Sequence, residues 1–431
     1  KNIKEFTGFN KENYSHRYRN QESENSEPTE WENSMADMPE KSYAEMALYL
    51  ASLFFGEDIA EEELRAMVMK AYDFDCPLVK ISDDDYALEL FHGPTFAFKD
   101  FGARFMGGML GLLSKMKEKE SNSEMLTVLT ATSGDTGSAV AAGFHNVPGV
   151  QVVVLYPEGK VSDLQESQMT TLGGNIHAVR VKGNFDDCQA LVKAVFNDSE
   201  FRKNHYVTSA NSINLLRWIP QSFYYFYGWC QWKKMSGKSE PDIVVPSGNY
   251  GNITAGMLAH FMGMPVRRFI AGANANDVVP EFLKTGTYSP RPSVRTVANA
   301  MDVGAPSNYE RMMYLYGQDF GKLCEAVSGY SYDDAQIKAG MKELFERCGY
   351  VSDPHSAVAY NTAKDAKMDG FRLSTAHSAK FLDVLRDALG PDAPESAFAV
   401  PEGLRRAMEK KKEYTVMENS LKELETFVDK L

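Results

Sequence analysis

Between residues 76 and 290 the chain alternates two patterns of apolar positions. Short β-branched runs read as strands: LTVLTA (126–131), VQVVVLYP (150–157), NIHAVRVKG (175–183), HYVTSA (205–210), DIVVPS (242–247) and VRRFIAGA (266–273). Between them lie longer runs with helical character: FGARFMGGMLGLLSKMKEK (101–119), GSAVAAGF (137–144), FDDCQALVKAVFND (185–198) and NITAGMLAHFMG (252–263). Such alternation predicts right-handed β-α-β units and parallel sheets, hence an α/β class. Residues 1–40 are polar and pattern-poor, and 20–34 read as a loop. Helical periodicity starts at Lys41, and Asp58 or Glu57 is expected to cap a second helix with Leu64, Met67 and Met69 on its apolar face. Residues 396–431 read as mostly helical and charged, with 410–412 as a solvated helix face.

At 431 residues the chain is long enough for two to four domains. The expected division is a mostly helical region at 1–85, a larger α/β domain at 86–120 with 226–390, a smaller one at 121–225, and a helical tail at 391–431. The net charge of −13 repels phosphate backbones, so a nucleic-acid partner is not expected, and an anionic small ligand needs a locally basic pocket. The five cysteines, Cys76, Cys188, Cys230, Cys324 and Cys348, are scattered and form no CxxC, which suits a reducing cytoplasm and offers no zinc ribbon. No metal is expected. The longest apolar stretch, 105–113, is broken by Gly107, Gly108 and Gly111, so neither a membrane span nor a signal peptide is expected.

Three strand–loop–helix junctions carry the chemistry. In HGPTFAFKDFGARFMG, Lys99 is flanked by Phe96, Phe98 and Phe101. One reading is a lysine snorkelling at a helix start. The other is an amine desolvated in an apolar pocket, with a lowered pKa and a free lone pair for a carbonyl. Phe98 and Asp100 exclude a P-loop. In VVPSGNYGNITAG (244–256), a strand enters a glycine-containing turn and then a helix, which describes either a phosphate cradle or an ordinary tight turn. In ATSGDTGSAVAAG (131–143), the polar turn either holds a carboxylate or simply caps the helix through Asp135 or Thr136.

From about residue 77 to 381 the chain resembles the threonine synthase family of pyridoxal-phosphate enzymes. The likeness rests on the three motifs above and on LYPEGKVSDLQESQMTTLG, TSANSINLLRWIPQ, NAMDVGAPSN, DPHSAVAY and STAHSAKF. In the last, Ser378 replaces the family's usual proline. The family's opening Gly-Leu-Tyr or Gly-Leu-Phe segment before a proline has no clear counterpart in 1–40, where Met38 and Pro39 are its nearest trace.

The resemblance implies pyridoxal 5′-phosphate as cofactor and fold type II: two parallel-sheet α/β domains with a helical N-terminal region and a helical C-terminal tail. It implies that Lys99 bonds the pyridoxal. Gly248, Asn249, Tyr250, Gly251 and Asn252 hold the cofactor phosphate, with phenylalanine often found at the Tyr250 position. Thr375 faces the pyridine nitrogen. Ser133, Gly134, Asp135 and Thr136 receive the substrate carboxylate and approach the cofactor's 3′-oxygen. Lys160 and Arg217, with Asn211 and Asn214, are expected around the substrate phosphate, and Ser212 is a further donor nearby. His355 and His377 lie in matching motifs but read as hydrogen-bonding rather than proton-carrying groups.

The implied reaction is conversion of O-phospho-L-homoserine and water to L-threonine and phosphate, by a monomer or small homo-oligomer. Two alternatives stay open: a phospho-lyase releasing 2-oxobutyrate from the same substrate, and a non-catalytic pyridoxal-phosphate-binding relative. The second is opposed by the intact Lys99.

Overall fold

The computed structural model describes residues 40–118, 125–212 and 214–431. Its strands, in chain order, are β1 (Leu78–Lys80), β2 (Tyr86–Glu89), β3 (Leu126–Ala131), β4 (Val150–Pro157), β5 (Ile176–Val181), β6 (Tyr206–Ser209), β7 (Asp242–Pro246), β8 (Arg268–Ala273), β9 (Val327–Ser331), β10 (Gly370–Ser374) and β11 (Thr415–Met417). They form two sheets. The larger has the order β1-β2-β10-β7-β8-β9 and is parallel except for β1; the smaller has the order β11-β5-β4-β3-β6 and is parallel throughout. β3, β7 and β10 are buried along their whole length, because helices cover both sheet faces.

The six strand-like runs of the sequence become β3 to β8, and the four helical runs become Lys99–Glu118, Asp135–Phe144, Phe185–Asn197 and Gly251–Phe261. The helix Gln221–Ser236 packs between the N-terminal helices and the larger sheet. It is buried nearly all round, and Gly237 ends it in the left-handed conformation. The second N-terminal helix, Glu61–Ala71, is capped by neither Asp58 nor Glu57: its N-cap is Ala60, without a side-chain bond. Its buried residues are Leu64, Met67, Val68 and Ala71, and Met69 is only partly covered. The expected loop at 20–34 and the Met38–Pro39 trace lie outside the described residues.

The C-terminal stretch departs from a plain helical tail. The helix Glu402–Glu409 packs on the helix Asp163–Thr170 of the smaller body. β11 then joins β5 as a parallel edge strand, and the helix Leu421–Val428 covers Phe185–Asn197 through Leu424 and Val428. Residues 410–412 are not a solvated helix face. The helix ends at Glu409, and Lys412, largely covered, pairs with Asp163 and, at 3.0 Å, with Glu166. Burying the edge of the smaller sheet supplies the reason: β5 would otherwise present an unpaired row of backbone groups.

Candidate active site

Three neighbouring strands of the larger sheet end at one crevice. The chain leaves β2 toward Lys99, β7 toward 247–252, and β10 toward Thr375. Ligands of open parallel sheets bind at such carboxyl ends. The smaller sheet faces the same crevice with the turn after β3 and the residues after β6. Between them lies a cavity of about 570 Å³.

Lys99 is the first residue of its helix. The segment before it is tied to β10's exit: Phe98 N donates to Thr375 O at 2.9 Å, and His377 N donates to Phe96 O at 3.1 Å. Phe96 accepts a left-handed backbone, φ 57°, to make this turn. Asp100 braces it from below, accepting from Thr95 N at 2.9 Å and Thr95 Oγ1 at 2.6 Å. Lys99 lines the cavity, with Nζ 5.7 Å from the Phe98 ring centre. Burial lowers its pKa to about 8; Asp135 works against that shift, while Arg217 and Lys380 add to it. Of the two readings of Lys99, the geometry matches the desolvated amine. Burial likewise raises the Asp100 carboxyl to about 6 against its Thr95 bonds.

The second junction forms a cradle. The helix Gly251–Phe261 starts behind Tyr250, so its first amides lack partners within the helix, and Gly251 and Asn252, which carry them, line the cavity. A Cβ at Gly248 would lie 2.5 Å from Met301 Cα, so only glycine lets the wall close there. The cradle is held from behind. Asn249 Nδ2 donates to Ser212 Oγ at 3.0 Å, and Ser307 N donates to Asn249 Oδ1 at 2.6 Å. Asn308 Nδ2 donates to Asn249 O at 2.9 Å. Asn252 Oδ1 accepts from the hydroxyls of Tyr224 and Tyr225, both at 2.7 Å, which leaves its buried Nδ2 without a partner among the described residues. Unpaired helix amides, an oriented spare amide and a glycine wall fit a phosphate group. Thr375, whose own N donates to Ser356 Oγ at 3.0 Å, lines the same cavity.

Tyr250 carries a buried hydroxyl with no partner among the described residues. Leaving such a group unsatisfied costs roughly 1–3 kcal/mol. Tyr250→Phe should therefore raise the melting temperature by roughly a degree or two and leave cofactor absorbance unchanged. A lower melting temperature in the loaded protein would mean that the hydroxyl is bonded there.

In the third junction the capping is done by Thr132, whose Oγ1 accepts from Gly134 N at 2.9 Å and Gly137 N at 2.8 Å. Asp135 and Thr136 do not cap. Gly134 has φ 141°, and a Cβ there would meet the Gln165 amide at 2.5 Å. Asp135 Oδ1 accepts from Gln165 Nε2 at 2.9 Å and pairs with Lys380 Nζ at 2.7 Å. Burial would raise this carboxyl; Lys380, Lys99 and those hydrogen bonds outweigh it and hold it ionised, well below the usual carboxylate range.

Of the expected residues, Lys99, Ser133, Asp135, Thr136, Asn211, Arg217, Gly248, Asn249, Tyr250, Gly251, Asn252 and Thr375 line the cavity, and Gly134, Lys160 and Asn214 do not. Gly134 shapes the loop behind the lining. Lys160 is exposed in the turn after β4. Asn214 is occupied by its own turn, with Oδ1 accepting from Leu216 N at 3.0 Å and Nδ2 donating to Ser209 O at 2.9 Å. His355 is pinned in the wall, its Nδ1 2.7 Å from Asp353 Oδ1 and its Nε2 accepting from Ala300 N at 3.1 Å. His377 Nδ1 accepts from Ala379 N at 3.1 Å and starts the short turn Ser378–Phe381. Ser378 is the first residue of that turn, where proline is tolerated because the amide needs no helical partner. The sequence reading missed Asn308, Ser307 and Lys380. NAMDVGAPSN and STAHSAKF contain them, but the partners that tie them to the site, Asn249 and Thr95, are 58 or more residues away.

A family model described as pyridoxal-phosphate dependent enzyme matches residues 83–372, and one described as threonine synthase, C-terminal, matches 356–428. Threonine synthase of Serratia marcescens is 44% identical over 358 residues, covering 82% of this chain and 81% of that protein. Among solved structures, threonine synthase of Escherichia coli matches with a TM-score of 0.83 at 39% identity. It covers 92% of this chain and 90% of that one. The pyridoxal-phosphate-bound threonine synthase of Brucella melitensis also gives 0.83, at 33% identity and the same coverage.

Proposed function

The chain belongs to the threonine synthase family, and from that premise we propose how its own residues carry out the reaction. The activity is pyridoxal-phosphate-dependent conversion of O-phospho-L-homoserine and water to L-threonine and phosphate, a step of threonine biosynthesis. The residue roles that follow are our assignment. The observation that carries them is that Lys99, its pKa brought to about 8 by burial, opens on the same cavity as the phosphate-fitting cradle at 248–252.

Lys99, Gly248, Asn249, Tyr250, Gly251, Asn252 and Thr375 hold the cofactor. Bound there, it supplies an electron sink for charge developing at the substrate's α- and β-carbons. Ser133 and Thr136, on the loop shaped by Gly134 and Asp135, receive the substrate's α-carboxylate. Arg217 and Asn211 hold its γ-phosphate, and Lys160 and Asn214 act outside the lining, in the approach and in the turn that carries Arg217. Lys99 Nζ, which lines the cavity, would take the proton from the substrate's Cα. It then moves protons at the neighbouring carbons as phosphate leaves Cγ and water adds at Cβ. A near-neutral pKa suits an amine that must both accept and return protons.

The 86–120 and 226–390 segments form the cofactor-bearing body, and 121–225 the smaller body that carries the carboxylate loop. A cytoplasmic setting is supported by five free thiols, three of them buried. Among the described residues no helix is long and apolar enough to cross a membrane. We take the protein to act as a monomer or small homo-oligomer.

Substrate bridges the two bodies, so binding should close them and keep bulk water from the charged intermediates. In hydrogen exchange, a phosphonate analogue of the substrate should protect 133–136 and 158–165, and inorganic phosphate should protect them less. Under the same conditions the substrate should yield threonine and phosphate in equal amounts. Equal protection by both ligands would remove closure from this account, and 2-oxobutyrate as main product would favour the phospho-lyase alternative, in which no water adds at Cβ.

A further inference from the structure

Lys380 does not line the cavity, yet it ties together two of the segments that do. Its side chain is fully buried, and Nζ lies 2.7 Å from Asp135 Oδ1. It also donates to Thr95 O at 2.8 Å, the residue whose N and Oγ1 are held by Asp100, next to Lys99. Lys380 itself belongs to the turn Ser378–Phe381 that follows Thr375. One ammonium group thus joins the carboxylate loop of the smaller body to the two segments that present Lys99 and Thr375.

The loop needs that charge. Asp135 is nearly fully buried and lies between Gly134 and Thr136, where a substrate carboxylate is to be received. Two carboxylates in one low-dielectric site repel unless a cation lies between or behind them. Thr136 and Ser133 bring no charge, and Gln165, the other partner of Asp135, is neutral. Lys99 also faces Asp135, but its nitrogen is committed to the reacting centre. Among the described residues, Lys380 is the buried cation in contact with Asp135 that the reaction leaves in place. A buried pair of this kind adds little net stability compared with apolar packing, so stability alone does not account for it.

We propose that Lys380 is a specificity-determining positioning residue: it cancels the charge of Asp135, so that the 133–136 loop accepts the substrate's α-carboxylate, and locks that loop to the turn carrying Lys99. The inference rests on the reading of 133–136 as the carboxylate site. The distinguishing feature is the sign of the effect, because removing Lys380 and removing Asp135 should act in opposite ways and removing both should nearly cancel.

The test is calorimetric affinity of the cofactor-loaded protein for two ligands, the phosphonate substrate analogue and the same molecule without its carboxylate, with KM and kcat for the substrate alongside. Lys380→Met exposes Asp135 and should weaken the carboxylated ligand and raise KM about tenfold or more. It should leave the carboxylate-free ligand within about twofold, with kcat less affected than KM. Asp135→Asn leaves Lys380 uncompensated and should hold or tighten the carboxylated ligand. The Asp135→Asn/Lys380→Met double variant should bring it back to within about threefold of the parent. Lys380→Arg, which keeps the charge, should rescue most of the loss. If Lys380→Met does not fold, the double variant and Asp135→Asn carry the same comparison.

Equal losses for both ligands in Lys380→Met and the double variant would make the pair a structural brace and overturn the proposal. A weaker carboxylated ligand in Asp135→Asn would do the same. If Lys380→Met is silent while Thr136→Val weakens only the carboxylated ligand, the loop reading stands and the proposal alone falls. If no variant separates the two ligands, the carboxylate site is not at 133–136 and both fall.

Discussion

Lys99→Ala should lower turnover by roughly a thousandfold or more, the range expected when a positioned proton-transfer group is removed from a reaction. The cofactor should still be retained through the 248–252 cradle, whose contacts do not involve Lys99. In the parent protein, borohydride should fix the cofactor on Lys99, and peptide mapping should find the label there and on no other lysine. The pH dependence has a definite sign. An amine whose pKa is about 8 is mostly charged below that pH and mostly neutral above it. The rate at which the cofactor-free chain takes up pyridoxal phosphate should therefore rise toward pH 8 and then level off. A lysine with the ordinary value near 10.4 would keep gaining up to about pH 10. The cause is also testable: burial is the largest contribution, so opening the wall with Phe98→Ser should move the plateau to higher pH. A label on another lysine would end the assignment of Lys99, and an unbroken rise to pH 10 would end the account of its activation.

Most of the frame was legible because parallel strands covered on both faces must be continuous apolar runs. β3, β4, β7 and β8 could be read directly for that reason. β10 could not: GFRLS carries an arginine in its centre. Arg372 is fully buried only because Asp85, 287 residues earlier, accepts from its Nε at 2.7 Å and its Nη2 at 2.9 Å. β11 is three residues of an otherwise polar tail, and only the open edge of β5 makes it a strand. The same division holds in the site. Lys99, the 248–252 turn and the 132–136 turn announce themselves through local chemistry, a lysine among aromatics and polar turns before helices. Lys380 is one more lysine in the sequence; its meaning comes from Asp135, 245 residues away, and from Thr95. Asn214 and Lys160 show the converse. They carry suitable donors in a suitable neighbourhood, but the backbone turns Asn214 back on its own loop and leaves Lys160 outside the cavity lining.

Arg217→Lys should reduce kcat/KM for O-phosphohomoserine about ten- to hundredfold, with cofactor absorbance almost unchanged. Arg217 is buried at the cavity wall. Burial brings its pKa down to about 10, with Asp100 opposing, so it stays cationic at neutral pH. Its Nη1 donates to Ala210 O at 2.6 Å, while its buried Nε has no partner among the described residues. A buried cation with a spare donor beside a cavity calls for an anion, and the guanidinium fork matches phosphate oxygens. Lysine at this position keeps the charge but loses the fork and the Ala210 bond. Charge-assisted hydrogen bonds are worth roughly 1.5–3 kcal/mol, which converts to the loss given above. Two phosphates compete for Arg217, that of the cofactor and that of the substrate, and the variant separates them. The cradle at 248–252 meets the needs of the first without Arg217, so the loss should appear in substrate handling. Arg217→Met, with no cation at all, should lose more than Arg217→Lys and still bind cofactor. If instead Arg217→Lys strips the cofactor and leaves substrate affinity intact, the arginine belongs to the cofactor's phosphate. The substrate's phosphate would then have to be sought at another cation of the lining, Lys193 or Arg291.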